Sequence, residues 1–183
     1  SRSDMSRILI YGNSGSGKTY LSNLIGNKVG VPPISLDNLF WLPGGYNHKR
    51  SEENLSSLVE SIKNKQEWVV EGVFGSLVEQ FLSQATLLIY LDLPWVVCHE
   101  NLLSRGSESS KQLEPAQAEV NFEKLLVWAE DYYSRDTQNS CSYHRSLFES
   151  AQCKKVIIKD NAGFDILLQN QSPRNPDAYQ SDA

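Results

Sequence analysis

Eight residues near the amino terminus, Gly12-Asn13-Ser14-Gly15-Ser16-Gly17-Lys18-Thr19, fit the spacing G-x-x-x-x-G-K-[ST] without a substitution. Small residues at these positions let the backbone curl until successive N–H groups point inward, which is what polyphosphate oxygens require. A helix expected to begin near Lys18 adds the positive end of its dipole. Lys18 then supplies a point charge for β- and γ-phosphates, and the Thr19 hydroxyl supplies an oxygen for Mg2+. The expected nucleotide-binding set is Gly12, Asn13, Ser14, Gly15, Ser16, Gly17, Lys18, Thr19 and the adjoining Tyr20, with ATP and magnesium as ligands.

Three further acidic residues close apolar runs, at the edge of a sheet where ligands gather. Asp92 is expected as a second magnesium-side carboxylate acting through water, or else as a cap ahead of Pro94. Asp37 is expected to take the proton of an acceptor hydroxyl or to orient that acceptor, its other reading being a turn cap before Asn38. Glu71 repeats the pattern, and Gly72 beside it would let a substrate approach the backbone. Arg105 suits a cation acting on the transferring phosphoryl group, although a helix end favours a cation in any case. Arg135 and Arg145 are further candidates for that role. His48-Lys49-Arg50 would hold an anionic acceptor or form a solvated loop. Cys141 and His144 lie one helical turn apart, too few for a metal site. Trp41, Trp68, Trp95 and Trp128 read as core or pocket wall.

The elements that must position these groups follow from hydrophobic period. Strands are expected at Arg7 to Tyr11, Val31 to Leu36, Trp68 to Val70, Thr86 to Asp92 and Lys155 to Lys159. Helical spacing follows the glycine-rich turn (Leu21, Leu24, Ile25) and recurs after a Ser51 cap (Leu55, Leu58, Val59, Ile62). Further helices are expected from Pro94 to Arg105, around Phe122, Leu125, Leu126, Ala129 and Tyr132, and near Phe164 to Leu168. Residues 38 to 50 read as loop, 106 to 114 as a polar crossing, and 171 to 183 as a polar tail. Strands alternating with helices predict an α/β fold with a mainly parallel five-stranded sheet.

Across its 183 residues the chain is 40% hydrophobic and 21% charged, with a formal net charge of −5. That acidic balance disfavours a nucleic-acid grip, which calls for a basic face. Three cysteines without a CxxC pair fit a reducing, cytoplasmic setting better than a disulfide framework. No run approaches a membrane span. Met5 behind four polar residues reads as a natural start after an expression remnant, leaving one expected domain over residues 5–170.

The loop at Gly12 to Thr19, Leu36-Asp37-Asn38-Leu39-Phe40-Trp41 with Pro43-Gly44, Trp68-Val69-Val70-Glu71-Gly72 and Tyr90-Leu91-Asp92-Leu93-Pro94 together resemble the small phosphate-loop kinases related to adenylate kinase. Within them, the resemblance is nearest to the bacterial DNA topology modulation group. It extends over residues 7 to 105. It implies a three-layer phosphate-loop NTPase fold, an acceptor-binding region at about 38–65 and a small lid at about 106–115. Two departures stand out. Glu71-Gly72 replaces the group's usual Asp-Gly, and residues 106 to 114 carry one Lys and no Arg. The expected activity is ATP-dependent phosphoryl transfer to a nucleotide or another small hydroxyl-bearing molecule. Lys18, Asp37 and Arg105 would be catalytic, Thr19 and Asp92 would serve the metal, and Asp37, Trp41, Arg50, Glu71 and Gly72 would meet the acceptor. The competing expectation is a nucleotide-dependent switch or slow ATPase acting on a partner protein.

Overall fold

A strand buried on both faces needs apolar side chains along most of its length, and, with Arg7 and Glu71 the charged exceptions, three segments of this chain have them. In the computed structural model, which describes residues 6–42, 48–107 and 114–169, they are β1 (Arg7–Gly12), β3 (Trp68–Gly72) and β4 (Leu87–Leu91). Two shorter or more exposed strands, β2 (Pro33–Ser35) and β5 (Lys154–Ile158), close the edges. The order is β2-β3-β1-β4-β5, and every pairing is parallel.

Alternate residues feed two cores, giving three layers. Leu9, Tyr11, Val70, Leu88 and Tyr90 pack under α3 (Glu52–Lys63), α4 (Gly75–Leu82) and α7 (Cys141–Ser150). Ile8, Ile10, Val69, Leu87 and Ile89 pack on the other face, under α1 (Lys18–Val29), α5 (Trp95–Arg105) and α8 (Asn161–Gln169). The two faces are buried because right-handed crossovers in a parallel sheet carry helices to both sides. A short α2 (Leu36–Phe40) follows β2 directly, and α6 (Pro115–Glu130) runs into a 3-10 turn at Asp131–Tyr133. Among the described residues no helix is long and apolar enough to cross a membrane.

The expected strands and helices appear with shifted bounds. The second strand is three residues and not six, because Ser35 leaves it to cap α2, its Oγ accepting the Asn38 N–H at 3.4 Å. Asp37 therefore lies in a helix, where a strand tip followed by loop was expected. Helices α4 and α7 were not anticipated. Residues 1 to 5, Pro43-Gly44 with their neighbours to Asn47, the central lid residues 108–113 and the tail from residue 170 lie outside the described residues.

Candidate active site

The glycine-rich loop Gly12–Thr19 joins the centre of the sheet to α1, and its shape is enforced by its neighbours. Gly15 (φ +79) and Gly17 (φ +94) take left-handed backbone, and a Cβ at Gly15 would stand 2.5 Å from the Cys98 carbonyl of α5. Asn101 of α5 donates its amide to the Gly15 carbonyl at 2.8 Å. Asn13 is buried and works as a brace. It donates Nδ2 to the Ala129 carbonyl at 2.9 Å and accepts the Ser14 N–H at 2.8 Å, while its carbonyl takes the Ser16 N–H at 3.1 Å. Lys18, only 7% exposed, donates Nζ to that same carbonyl at 2.7 Å. The first helical bond of α1 runs from the Leu21 N–H to the Gly17 carbonyl. The N–H groups of Lys18, Thr19 and Tyr20 therefore precede it, as at any helix start. Ser16 Oγ is buried without a hydrogen-bond partner. That orphaned hydroxyl, the ammonium and the helix N-terminus fit a polyphosphate.

Ser14 through Tyr20 line a cleft of about 1120 Å³ that also contains Asp37, Trp41, Glu71 and Arg105. Six of the expected loop positions and these four more distant residues therefore share one cavity with Lys18. Asp37 and Glu71 are brought together by register, since Ser35 of β2 pairs with Glu71 of β3 and α2 starts at the next residue. Glu71 is 4% exposed, and burial pushes its carboxyl up to about 7; Lys18 and a Ser35 hydrogen bond pull downward, while Asp37 adds to the rise. Burial also raises Asp37, against the opposing pull of Lys18 and of the Val73 and Phe74 N–H groups. Asp37 Oδ1 accepts the Val73 N–H at 3.1 Å.

Val73 is in turn held from behind. Its carbonyl accepts a bond of 2.8 Å from His144 Nε2, so that nitrogen carries the proton and Nδ1 must accept from the Tyr132 hydroxyl, 2.8 Å away. Tyr90 continues the chain to Tyr132 at 2.9 Å. Burial drives His144 down to about 3 and raises Tyr90 and Tyr132, so the network stays neutral and its proton positions are fixed. His144 thus acts as a brace for the β3–α4 loop that holds Asp37.

Several expected site residues lie elsewhere. Asp92, on the far side of β1 from Asp37, does not line the cleft. Its N–H bonds the Ile158 carbonyl at 2.8 Å, and its carboxylate takes Arg145 Nε and Nη2, each at 3.2 Å. Asp92 is thus paired with Arg145 of α7, and neither residue is among those lining the cleft. Gly72 also faces inward. A Cβ there would meet Leu36 Cβ at 3.0 Å and Asp37 Oδ1 at 3.1 Å, so the absent side chain admits α2 and not a substrate. Gly12 and Asn13 shape the loop from beneath it, outside the cleft lining. Arg50 donates Nε to the Leu39 carbonyl and its N–H to the Phe40 carbonyl, both at 2.9 Å, clipping the end of α2; its neighbour Lys49 lines the cleft instead. Arg135 donates to the Asn139 and Trp128 carbonyls and stacks 4.3 Å from the Trp128 ring centroid.

Sequence reasoning missed Phe40, Phe74, Asn101, Asn139 and Phe164, all cleft-lining. Phe40 lies in the Leu36–Trp41 segment of the resemblance without being singled out, and three of the five (Phe40, Phe74 and Asn139) lie in or beside helices that periodicity did not mark. Trp41 and Trp128 turn out to be wall, whereas Trp68 is buried against Phe81 and Trp95 stacks on His99.

No protein-family model matches the chain, and no curated protein matches its sequence. Solved structures do match its fold. A shikimate kinase from Acinetobacter baumannii in complex with shikimate is similar over 90% of this chain and 89% of its own, at 16% identity and a TM-score of 0.51. A gluconokinase from Sinorhizobium meliloti covers 92% of this chain and 97% of its own, at 16% identity and a TM-score of 0.44. A deoxyadenosine kinase from M. mycoides covers 89% and 96%, at 12% identity and a TM-score of 0.43. At 16% identity the likeness to the shikimate kinase establishes the fold alone, a parallel α/β sheet with flanking helices.

Proposed function

We propose that this protein transfers the γ-phosphoryl group of ATP to a small hydroxyl-bearing molecule. One observation carries the reading: two carboxyl groups, Asp37 and Glu71, face Lys18 in the cleft that the phosphate loop opens into. The loop N–H groups and Lys18 hold the polyphosphate and neutralise charge as it develops. Bound magnesium would add positive charge across the β- and γ-phosphates, with Thr19 and Glu71 as the oxygen groups available to it, directly or through water. Glu71 suits that place because β3 adjoins β1, whereas Asp37 lies one strand farther out, beside the aromatic residues of α2. Asp37 then accepts the proton of the acceptor hydroxyl as its oxygen bonds to the γ-phosphorus and the bond to the β-phosphate oxygen breaks, releasing ADP. Arg105, at the last turn of α5 on the opposite side, reaches the cleft as the lid-side cation. ATP, Mg2+ and a small acceptor are the partners this reading requires.

The test is ADP release measured with and without a panel of nucleosides, nucleoside monophosphates and small sugars, on wild type and Asp37→Asn. A kinase shows acceptor-stimulated turnover that falls about 10²–10⁴-fold in Asp37→Asn, while ATP affinity persists. Turnover that no acceptor stimulates, unchanged by the substitution, would leave a nucleotide-dependent switch or slow ATPase as the better account.

A further inference from the structure

We infer that the acceptor end of the cleft takes an uncharged molecule with a flat ring, a nucleoside being the simplest hydroxyl-bearing example. The inference rests on the kinase reading and narrows its substrate class. On the β2–β3 side of the phosphate loop the cleft wall is a continuous aromatic run. Trp41 meets Phe40 edge-on at 4.9 Å, Phe40 lies tilted on Phe74 at 4.7 Å, and Phe74 reaches Trp128 at 6.3 Å. All four line the cleft. The outermost ring is locked in place, because the Arg135 guanidinium stacks 4.3 Å from the Trp128 centroid while donating Nε to the Asn139 carbonyl at 2.8 Å. A rigid aromatic wall stabilises a π-face laid against it and has little to offer an extended polyol acid.

The charges around that wall point the same way. A phosphate or carboxylate on the acceptor would be buried beside Asp37 and Glu71, and burying an anion without partners is costly. Arginine forks are the usual remedy. Among the described residues no arginine lines the cleft at this end: Arg50 donates Nε to the Leu39 carbonyl and Arg135 donates to the Asn139 and Trp128 carbonyls, and both stand behind the lining residues. Lys49 lines the cleft, with its Nζ held 5.4 Å over the Phe40 ring. Between Trp41 and Lys49 the sequence contains no Lys or Arg. The remaining polar groups at this end are the Ser35 hydroxyl, which accepts the Asn38 N–H, and two amides, which recognise neutral hydrogen-bonding edges. Asn38 and Asn139 both line the cleft, and Asn139 has its oxygen committed to the Gly75 N–H at 3.1 Å, leaving the amide nitrogen to offer a ligand.

The experiment fills the nucleotide end with a non-hydrolysable ATP analogue and magnesium. It then titrates uncharged nucleosides, their 5′-monophosphates, an unphosphorylated aldose and an aliphatic hydroxy acid by calorimetry. At least one nucleoside should bind tenfold or more tightly than its own monophosphate, the aldose and the acid, on the order of one lost charge contact or more. Trp128→Ala and Trp41→Ala should each weaken that nucleoside by about ten- to a hundredfold, and Trp128→Phe should recover most of the loss. Tighter binding of a monophosphate, aldose or hydroxy acid than of every nucleoside overturns the inference. So does the absence of nucleoside binding to analogue-loaded protein, or indifference to both tryptophan substitutions. If the alanine variants fail to fold, the wild-type ranking and the Trp128→Phe and Trp41→Phe variants decide alone. Failure of the analogue itself to bind, or equal binding to Lys18→Ala, strikes the phosphate-loop reading instead and is visible before any acceptor is added.

Discussion

Glu71 makes a prediction whose sign and size both follow from where it sits. Its carboxyl, 4% exposed, is raised by burial from 4.5 to about 7. Between those two values the folded protein keeps a proton that the unfolded chain has already released. Folding stability attributable to Glu71 is therefore fully present below about pH 4.5 and is lost as pH rises to about 7, after which the difference stays constant. At about 1.4 kcal/mol per pH unit, the whole window corresponds to about 3 kcal/mol. Glu71→Gln keeps the shape and removes the titration. Urea unfolding of both proteins at several pH values from about 4.5 to 8 should show near-equal stability at the acid end and a variant more stable by up to about 3 kcal/mol at the alkaline end. The positive charge of Lys18 already lowers Glu71, and a bound cation should lower it further. Binding of ATP with magnesium at pH 7 should then release roughly half a proton in wild type and close to none in Glu71→Gln. Calorimetry in two buffers of different ionisation heat reads that number. A stability difference that is flat across the pH range would refute the argument that the buried carboxyl is the titrating group.

Arg105→Ala should lower acceptor-stimulated turnover by up to about 10²-fold with little change in ATP affinity, as expected of a cation acting on the transferring group; steady-state kinetics with a verified acceptor separate the two. Arg145→Ala should leave turnover intact, because its partner Asp92 lies outside the cleft, and cost about 1–3 kcal/mol in urea unfolding, because it leaves the Asp92 carboxylate, 6% exposed, without its cation. A turnover loss in a folded Arg145→Ala protein would return Asp92 to the site.

The fold was legible because its signals are redundant. Each central strand is an apolar run bounded by polar or glycine residues, and each long helix repeats its apolar face. The shape of the glycine-rich loop was legible for a different reason, since its backbone demands glycine at Gly15 and Gly17, where left-handed φ angles are observed. Helices α4 and α7 escaped notice because their stability comes from tertiary packing. Helix α4 opens on a glycine whose Cβ position collides with the Gln138 carbonyl, and α7 opens with Cys-Ser-Tyr-His, all modest helix formers.

What the sequence left open is which strand-end carboxylates belong to the site. Asp37, Glu71 and Asp92 look alike in one dimension: each closes an apolar run and each is followed by a turn or helix. Sheet order separates them. With β1 in the centre, β3 and β2 lie on one side and β4 on the other, so Glu71 and Asp37 share the cleft with Lys18 while Asp92 does not. An unanticipated helix then completes the distinction, because α7 brings Arg145 onto Asp92 and His144 onto the Val73 carbonyl. One helix thus pairs with the carboxylate outside the cleft and steadies the loop whose N–H groups hold one inside it. Both roles depend on residues more than fifty positions from the carboxylates they govern, a separation that no local spacing rule can read.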